Sequence, residues 1–287
     1  MADGTGLTEF SKKYPDRFFD VGIAEQHAVG MAAGLAKSGL VPVVPLYSSF
    51  IQRAYDQLVH DVAIQDLPVV ICADRAGIVG NDGETHQGLL DLSFTNTIPN
   101  FNIMAPKDFN ELESMLEFAI NLKKPVMIRY PRGGETKSFE KSEEITLGKA
   151  EVVREGNDIA IIAIGKMVSR AIEVSDKLSE NGIEATVINA RFLKPLDKDC
   201  ILKKKKKKKT VATIEDGTII GGLGSKVEEL IFENKLDINL EKFAYPDEFI
   251  KHGSVSEIEE KYGLDVGSIV ECLNSQEKNI KIVNTSC

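Results

Sequence analysis

Glu25 is the residue whose surroundings in the sequence most strongly suggest chemistry. It lies between residues 17–23, which are predicted to form a buried strand, and residues 26–37, which are mostly small or apolar and are predicted to form a buried helix. A carboxylate in such a place is costly unless it is paired or its pKa is raised, so Glu25 is a candidate for acid–base or hydrogen-bonding chemistry. The alternative is a first-turn glutamate that is stabilised by the helix dipole.

A histidine and an aspartate occur in a glycine-containing loop that spans residues 75–88. Histidine side chains change their charge near neutral pH, so His86 is a candidate for proton transfer. Asp82 lies four residues before it. Taken alone, a single histidine is more often structural than catalytic, and an Asp-Gly pair is typical of a turn.

Several residues suited to binding an anion lie on three separate loops. Guanidinium groups that converge on one point match the oxygens of a phosphate, although each arginine alone is typical of a surface ion pair. An aromatic residue, Phe50, lies among them, and in most proteins such a residue is an ordinary core aromatic at a helix start. The candidates for anion binding are Tyr47, Arg53, Arg75 and Arg132.

The elements that must position these side chains alternate between short β-like runs and helical segments. This alternation predicts an α/β fold, in which helices cover both faces of a parallel sheet and ligands lie at the carboxyl ends of the strands. The candidate residues fall on the loops that leave those strands. The predicted strands are 17–23, 41–46, 67–74, 102–107 and 125–130, and the predicted helices are 26–37, 50–65 and 109–122.

The second half of the chain repeats this alternation after a polar stretch at 133–144. Its predicted strands are 158–165, 184–191 and 210–216, with helices at 167–182 and after the glycines of 221–224. We therefore predict two doubly wound domains, 1–135 and 148–287, joined by a linker at 136–147. The glycines at 221–224 are better explained by close helix–sheet packing than by an anion-binding nest.

Composition excludes several classes of function. The net charge of −9 and the pI near 5.2 argue against binding to nucleic acid or to an anionic membrane surface. No apolar run approaches the ~20 residues that span a bilayer, and the N-terminus does not resemble a signal peptide. The four cysteines form no CxxC or Cys/His cluster, which indicates reduced thiols, no zinc site and a cytoplasmic protein.

Lys203–Lys209 is a run of seven lysines in a region where a helix should pack between two strands. Such a helix should place an apolar residue at every third or fourth position, and this run has none. Local disorder and an error in the sequence are both open explanations.

Four segments closely resemble the 1-deoxy-D-xylulose-5-phosphate synthase family. They are DVGIAEQHAVGMAAGLA, YSSFIQRAYDQLVHDVAIQDLPV, DRAGIVGNDGETHQGLLDLS and MIRYPRG, and the later text NARFLKPLD, TIEDGTIIGGLGS and YPDEF also fits. The likeness covers roughly residues 1–270 and is closer than the likeness to transketolase or to the pyruvate dehydrogenase β subunit. It implies a pyrimidine-binding, transketolase-like domain followed by a transketolase C-terminal domain.

The resemblance implies a thiamine-diphosphate enzyme that joins pyruvate to glyceraldehyde 3-phosphate with loss of CO₂. Glu25 would hydrogen-bond the aminopyrimidine ring of the cofactor, and Phe50 would stack on it. His86 would transfer protons near the reacting carbonyl, and Asp82 would contact a hydroxyl of the acceptor. The phosphate of the acceptor would be held by Tyr47, Arg53 and Arg132, with Arg75 near the substrate carboxylate or the acceptor.

The family binds the diphosphate through Mg²⁺, with a Gly-Asp-Gly motif and a later Asn, and this sequence contains no Gly-Asp-Gly. We therefore expect no metal ligand in this chain, and we expect an N-terminal diphosphate-binding domain or partner subunit, with the whole assembled as a homodimer. The chain would be a fragment of a longer protein or a natural split subunit. The alternatives to a synthase are the C-terminal subunit of a split transketolase and a non-catalytic dimerising fragment.

Overall fold

The computed structural model describes residues 2–134, 138–139, 144–204 and 208–285. Within these ranges the strands are β1 (Val43–Tyr47), β2 (Val70–Asp74), β3 (Asn102–Met104), β4 (Val126–Arg129), β5 (Glu151–Arg154), β6 (Ile159–Ala163), β7 (Ala185–Asn189), β8 (Phe192–Lys194), β9 (Thr210–Thr218) and β10 (Asn239–Tyr245). They form two sheets, in the orders β1-β2-β4-β3-β8 and β10-β9-β6-β7-β5.

The α-helices of the described ranges are α1 (Thr8–Lys13), α2 (Glu25–Lys37), α3 (Ser48–Ile51), α4 (Tyr55–Gln57), α5 (Asp91–Asn96), α6 (Phe109–Leu122), α7 (Met167–Glu180), α8 (Lys198–Lys204), α9 (Leu223–Glu233), α10 (Val255–Lys261) and α11 (Val266–Thr285). Short 3₁₀ turns occupy Pro15–Arg17, Gln52–Ala54 and Gly80–Asp82, and Leu58–Ala63 is a π-helix. None of the helices described here combines the length and the apolar content that crossing a bilayer requires.

Helices cover both faces of the first sheet, as the alternation of elements predicts. Strands β1, β2, β4 and β3 are parallel, and all four residues of β4 are buried. On one face lie α2 and the segment from Ser48 to Ala63, through residues such as Leu58. On the other face lies α6, through Met115 and Ala119. The predicted bounds of α6 match the observed ones.

The strand predicted at residues 17–23 is wrong. This segment follows a 3₁₀ turn and joins neither sheet, and Phe19 and Ile23 are 58% and 72% exposed. The side chain of Asp20 accepts a hydrogen bond from the backbone N–H of Gly22 at 2.9 Å, and Gly22 has a φ of 69°. This local turn bends the chain, so the apolar residues do not line up beside a neighbouring strand.

The predicted helix at 50–65 begins earlier, at Ser48, and is divided into α3, a 3₁₀ turn, α4 and the π-helix. The lysine run lies partly in α8, which ends at Lys204, and Lys205–Lys207 lie outside the described residues. The predicted linker at 136–147 also lies partly outside the described residues, since 136–137 and 140–143 are not described.

The second half forms its own sheet but also adds a strand to the first. Strands β10, β9, β6 and β7 are parallel, and β5 runs antiparallel to β7 at the edge. Strand β8 pairs antiparallel with β3 in the first sheet. The largest buried apolar cluster also includes residues of both halves, among them Ile71 and Ile162. The two halves therefore share a core.

Two buried groups of charged side chains lie where the halves meet. Arg129 at the end of β4 donates to Asp91 at 2.8 Å and to Asp216 in β9 at 2.5 Å. In the second group, Lys107 donates to Glu151 at 2.6 Å. Glu111 accepts from Lys107 at 3.2 Å and from Arg191 at 2.7 Å. Because these charges are buried, each group stays favourable only while the halves remain docked.

Candidate functional site

The candidate residues gather at the carboxyl edge of the first sheet. Strand β1 ends at Tyr47, β2 ends at Asp74 and β4 ends at Arg129, so the loops that follow them lie side by side. Strands that run parallel bring their carboxyl ends to one edge, where ligands of such folds bind. The start of α2, at Glu25, packs against the segment that follows β1.

Glu25 is buried and paired with Arg53. Its side chain is 7% exposed, and Nη1 of Arg53 lies 3.3 Å from both carboxylate oxygens. The guanidinium carbon of Arg53 also lies 4.9 Å from the centre of the Phe50 ring. The arginine that the resemblance assigns to the acceptor phosphate therefore bridges the two residues that it assigns to the cofactor.

Phe50 is the centre of an aromatic cluster. Its ring centre lies 5.6 Å from that of Tyr47 and 5.4 Å from that of His86, which meets it edge-on. The His86 ring has a polar contact as well, since its Nδ1 is 2.9 Å from the hydroxyl of Thr85. Phe50 therefore contacts His86 directly and is linked to Glu25 through Arg53.

Arg75 and Tyr47 form a second bridge in the same cluster. The Nη2 atom of Arg75 donates to the hydroxyl of Tyr47 at 2.8 Å and to the carbonyl of Gly4 at 3.0 Å. Its guanidinium carbon lies 4.3 Å from the Tyr47 ring centre. Arg75 has a φ of 59°, a left-handed conformation that turns the chain sharply at the end of β2.

Arg132 and Asp82 form a separate, more exposed pair at 2.6 Å, with 51% and 38% of their side chains exposed. Burial raises the pKa of the Asp74 carboxyl, and the positive charges of Arg75 and Arg132 oppose that rise. A cleft of about 850 Å³ is lined by Asp74, Arg75 and Arg132 of the first half and by Lys166 and Arg170 of the second half.

The glycines at 221–224 allow the chain to pack closely around Glu215. The sequence analysis did not identify Glu215. The buried Glu215 carboxylate accepts from the backbone N–H groups of Leu223 at 2.8 Å and Gly224 at 2.7 Å. A Cβ atom on Gly222 would lie 2.1 Å from a carboxylate oxygen of Glu215. A side chain of the chain itself therefore fills this helix N-terminus, and close packing is the right interpretation.

Gln87 is the other residue that sequence patterns did not find. It is 8% exposed and lies inside the loop that carries Asp82 and His86. The signal available in the sequence was its place beside His86, while its burial depends on how the loop packs. As for metals, the side chains of the described ranges form no group of three or more His, Cys, Asp or Glu residues able to hold an ion.

Two family descriptions match the chain. Residues 1–135 match "Transketolase, pyrimidine binding domain", and residues 148–269 match "Transketolase, C-terminal domain". A solved structure described as a split gene transketolase, inactive beta4 tetramer, is 31% identical, with a TM-score of 0.88 over 96% of this chain and 89% of that one. The transketolase of Campylobacter jejuni, at 18% identity and a TM-score of 0.70 over 90% of this chain and 39% of that one, shares the fold.

Curated relatives carry a more specific name. The 1-deoxy-D-xylulose-5-phosphate synthase of Natranaerobius thermophilus is 52% identical over 99% of this chain. That of Caldanaerobacter subterraneus subsp. tengcongensis is 50% identical over 98%. The chain spans only 44% and 45% of the lengths of these two relatives.

Proposed function

This chain belongs to the transketolase family, and from that premise we propose that it supplies the pyrimidine-binding part of a 1-deoxy-D-xylulose-5-phosphate synthase. The proposed reaction joins pyruvate to glyceraldehyde 3-phosphate with loss of CO₂, for the synthesis of isoprenoids, thiamine and pyridoxal phosphate. The likeness to the two synthases supports this reaction over that of transketolase. We further propose a cytoplasmic homodimer in which residues 136–147 link the two domains.

The observation that carries the proposal is the contact of Arg53 with both Glu25 and Phe50. A flat cation lies between a buried carboxylate and an aromatic face, with its N–H directed at the carboxylate. A protonated aminopyrimidine is also flat, cationic and rich in N–H donors, so the pyrimidine of thiamine diphosphate fits these residues. Its entry would displace Arg53, which would free this arginine for the phosphate of the acceptor.

The side chains then divide the remaining tasks. When bound, thiamine diphosphate supplies the nucleophilic carbon that reacts with the keto group of pyruvate. Glu25 holds a proton at the pyrimidine ring, and its burial excludes water from that bond. His86 moves a proton at the reacting carbonyl, and Asp82 orients a hydroxyl of the acceptor.

The proposed anion sites lie beside this centre. Arg132, Tyr47 and Arg53 would bind the phosphate of glyceraldehyde 3-phosphate, and Arg75 would lie near the pyruvate carboxylate or the acceptor. The diphosphate and its Mg²⁺ would be held by a diphosphate-binding domain or by a partner subunit.

A chimera tests the proposal. This chain would replace the matching segment of the Natranaerobius thermophilus relative, and CO₂ release from pyruvate would be measured with glyceraldehyde 3-phosphate as acceptor. We expect decarboxylation coupled to formation of the five-carbon product. Glu25→Gln should lower turnover by about 10²–10⁴-fold, because the amide cannot hold the proton as a carboxylate does.

The matched control is Glu9→Gln, which changes an exposed glutamate of α1 and should leave turnover unchanged. Two-carbon transfer between sugar phosphates without CO₂ release would favour the split-transketolase alternative. A folded chimera that dimerises and catalyses neither reaction would favour the non-catalytic fragment.

A further inference from the structure

The loop that carries Arg75, Asp82 and His86 is closed at its neck. The backbone N–H of Gly77 donates to the carbonyl of Gly88 at 2.8 Å, and the N–H of Gly88 donates back to Gly77 at 2.7 Å. This antiparallel bridge fixes where the loop leaves strand β2 and where it leads into helix α5. It does not by itself fix the part in between, where Asp82 and His86 lie.

Gln87 supplies contacts to that middle part. Its Oε1 accepts from the backbone N–H of Val79 at 2.8 Å. Its Nε2 donates to the carbonyl of Gly80 at 3.5 Å and to that of Lys251, in the second half of the chain, at 3.4 Å. One buried amide therefore ties the start of the loop, its end and the C-terminal domain together.

The loop also packs directly on the second half at two glycines. A Cβ atom on Gly80 would lie 3.1 Å from the carbonyl oxygen of Gly253, and one on Gly83 would lie 3.5 Å from Cβ of His252. Both glycines have a φ of 75°, so this approach uses backbone conformations that other residues rarely adopt. The segment Lys251–Gly253 thus forms a surface on which the loop rests.

We propose that Gln87 is the positioning residue of this loop: by holding Val79, Gly80 and Lys251 it fixes the neighbouring His86 against Phe50. Gln87 is buried, and the next side chain in the sequence before it, that of His86, meets the Phe50 ring edge-on. The C-terminal domain then has a role in the site: through Lys251 and Gln87 it helps to orient His86, although it contributes no catalytic side chain itself. The functional meaning of this inference rests on the proposed function, in which His86 transfers protons.

If the role of Gln87 were only to fill space in the core, an apolar side chain of equal length would preserve the position of His86. The position of His86 separates the two roles, because the edge-on contact with Phe50 places the imidazole in the ring current of the aromatic side chain. The chain has four histidines, so the ring protons of His86 can be assigned in a histidine-labelled sample by their absence from His86→Ala. Phe50→Leu then measures how far the ring current shifts them.

The experiment compares Gln87→Met with the parent chain by NMR, without cofactor. We expect the His86 ring protons to move by an amount comparable with that seen in Phe50→Leu. We also expect hydrogen exchange of the Val79 amide to be about tenfold faster, as loss of one buried hydrogen bond implies. Gln65→Met, at an exposed glutamine, is the matched control and should change neither quantity.

Unchanged His86 resonances in a folded Gln87→Met chain would overturn the proposal, whatever the Val79 amide does. If Gln87→Met does not fold, Gln87→Asn decides, because its amide is neutral but one methylene too short to reach Val79 and Lys251 together. Shifted His86 resonances in Gln87→Asn support the positioning role, and unshifted ones refute it. Because the NMR measurement needs no turnover, an inactive chimera would defeat the proposed function and leave this result standing.

Discussion

The cationic side chains of the candidate site each contact another group of the chain. Arg53 binds Glu25, Arg75 binds Tyr47, and Arg132 binds Asp82. A substrate anion must therefore exchange partners with the arginine that binds it. The exchange costs least at Arg132, because an exposed ion pair contributes only about 0–1 kcal/mol to stability.

Arg132→Ala in the chimera should lower kcat/KM for glyceraldehyde 3-phosphate by roughly tenfold to a few hundredfold. The change removes one or two charge-assisted hydrogen bonds of about 1.5–3 kcal/mol each. The value of kcat/KM for unphosphorylated glyceraldehyde should change little, because this aldehyde carries no phosphate for Arg132 to bind. The measurement is kcat/KM for both aldehydes.

The control for Arg132→Ala is Arg154→Ala, which breaks a pair with Asp176 in the second half and should alter neither value. An equal loss for the two aldehydes would mean that Arg132 supports the fold or the cofactor. The phosphate assignment would then be withdrawn.

Among the elements, helix α9 shows how burial changes the effect of a charge. Its first N–H groups bind the Glu215 carboxyl, which is fully buried at the domain junction. Burial raises the pKa of Glu215 from an ordinary 4.5 to about 7, although the N–H groups of Gly224 and Leu223 oppose the rise. The loss of hydration therefore raises the pKa of Glu215 by more than the helix N-terminus lowers it.

The free energy of unfolding should consequently fall as the pH rises from about 4.5 to about 7. In this window the folded chain holds a proton on Glu215 that the unfolded chain has lost. The contribution of Glu215 to the free energy of unfolding is fully present below pH 4.5 and is lost as the pH passes 7. Its full size is about 3 kcal/mol. Urea unfolding at several pH values, for the parent and for Glu215→Gln, measures it by difference.

The difference between parent and Glu215→Gln should decline across this window, while Glu117→Gln, an exposed change on α6, should follow the parent. A difference that instead grows with pH would show that the ionised carboxylate is the stabilising form.

The sequence predicts most elements because their signals are local. Helix α6 carries an apolar face and Asp108, whose side chain accepts from the Glu111 backbone at its start, so its bounds follow from the sequence. The strand at 17–23 was wrong because a strand needs a neighbouring backbone, which apolar residues alone cannot guarantee. The pairing of Arg53 with Glu25, 28 positions apart, depends on how α2 packs, and no local pattern encodes it.

At the scale of the molecule, the proposed function would leave this chain with half of the cofactor site. Glu25 and Phe50 would hold the pyrimidine, while the sequence contains no Gly-Asp-Gly. The described side chains also form no cluster suited to a metal. A single carboxylate and one aromatic face give little affinity for a ligand whose charge resides mainly in its diphosphate.

The purified chain should therefore not bind thiamine diphosphate at micromolar concentration, even with Mg²⁺ present. Titration calorimetry is the measurement, and the chimera is the control that should bind. Micromolar binding by the isolated chain would defeat the argument that the site is divided.

Strand β8 limits how this protein can change by recombination. Because β8 covers the edge of β3, a gene exchange that replaced everything after residue 147 with an unrelated domain would remove a strand from the first sheet as well. The remaining piece would expose unpaired backbone groups, which template aggregation. Arg129 would also lose its partner Asp216. The two domains are therefore expected to be inherited as one unit, and new specificity should arise by substitution in the loops rather than by domain shuffling.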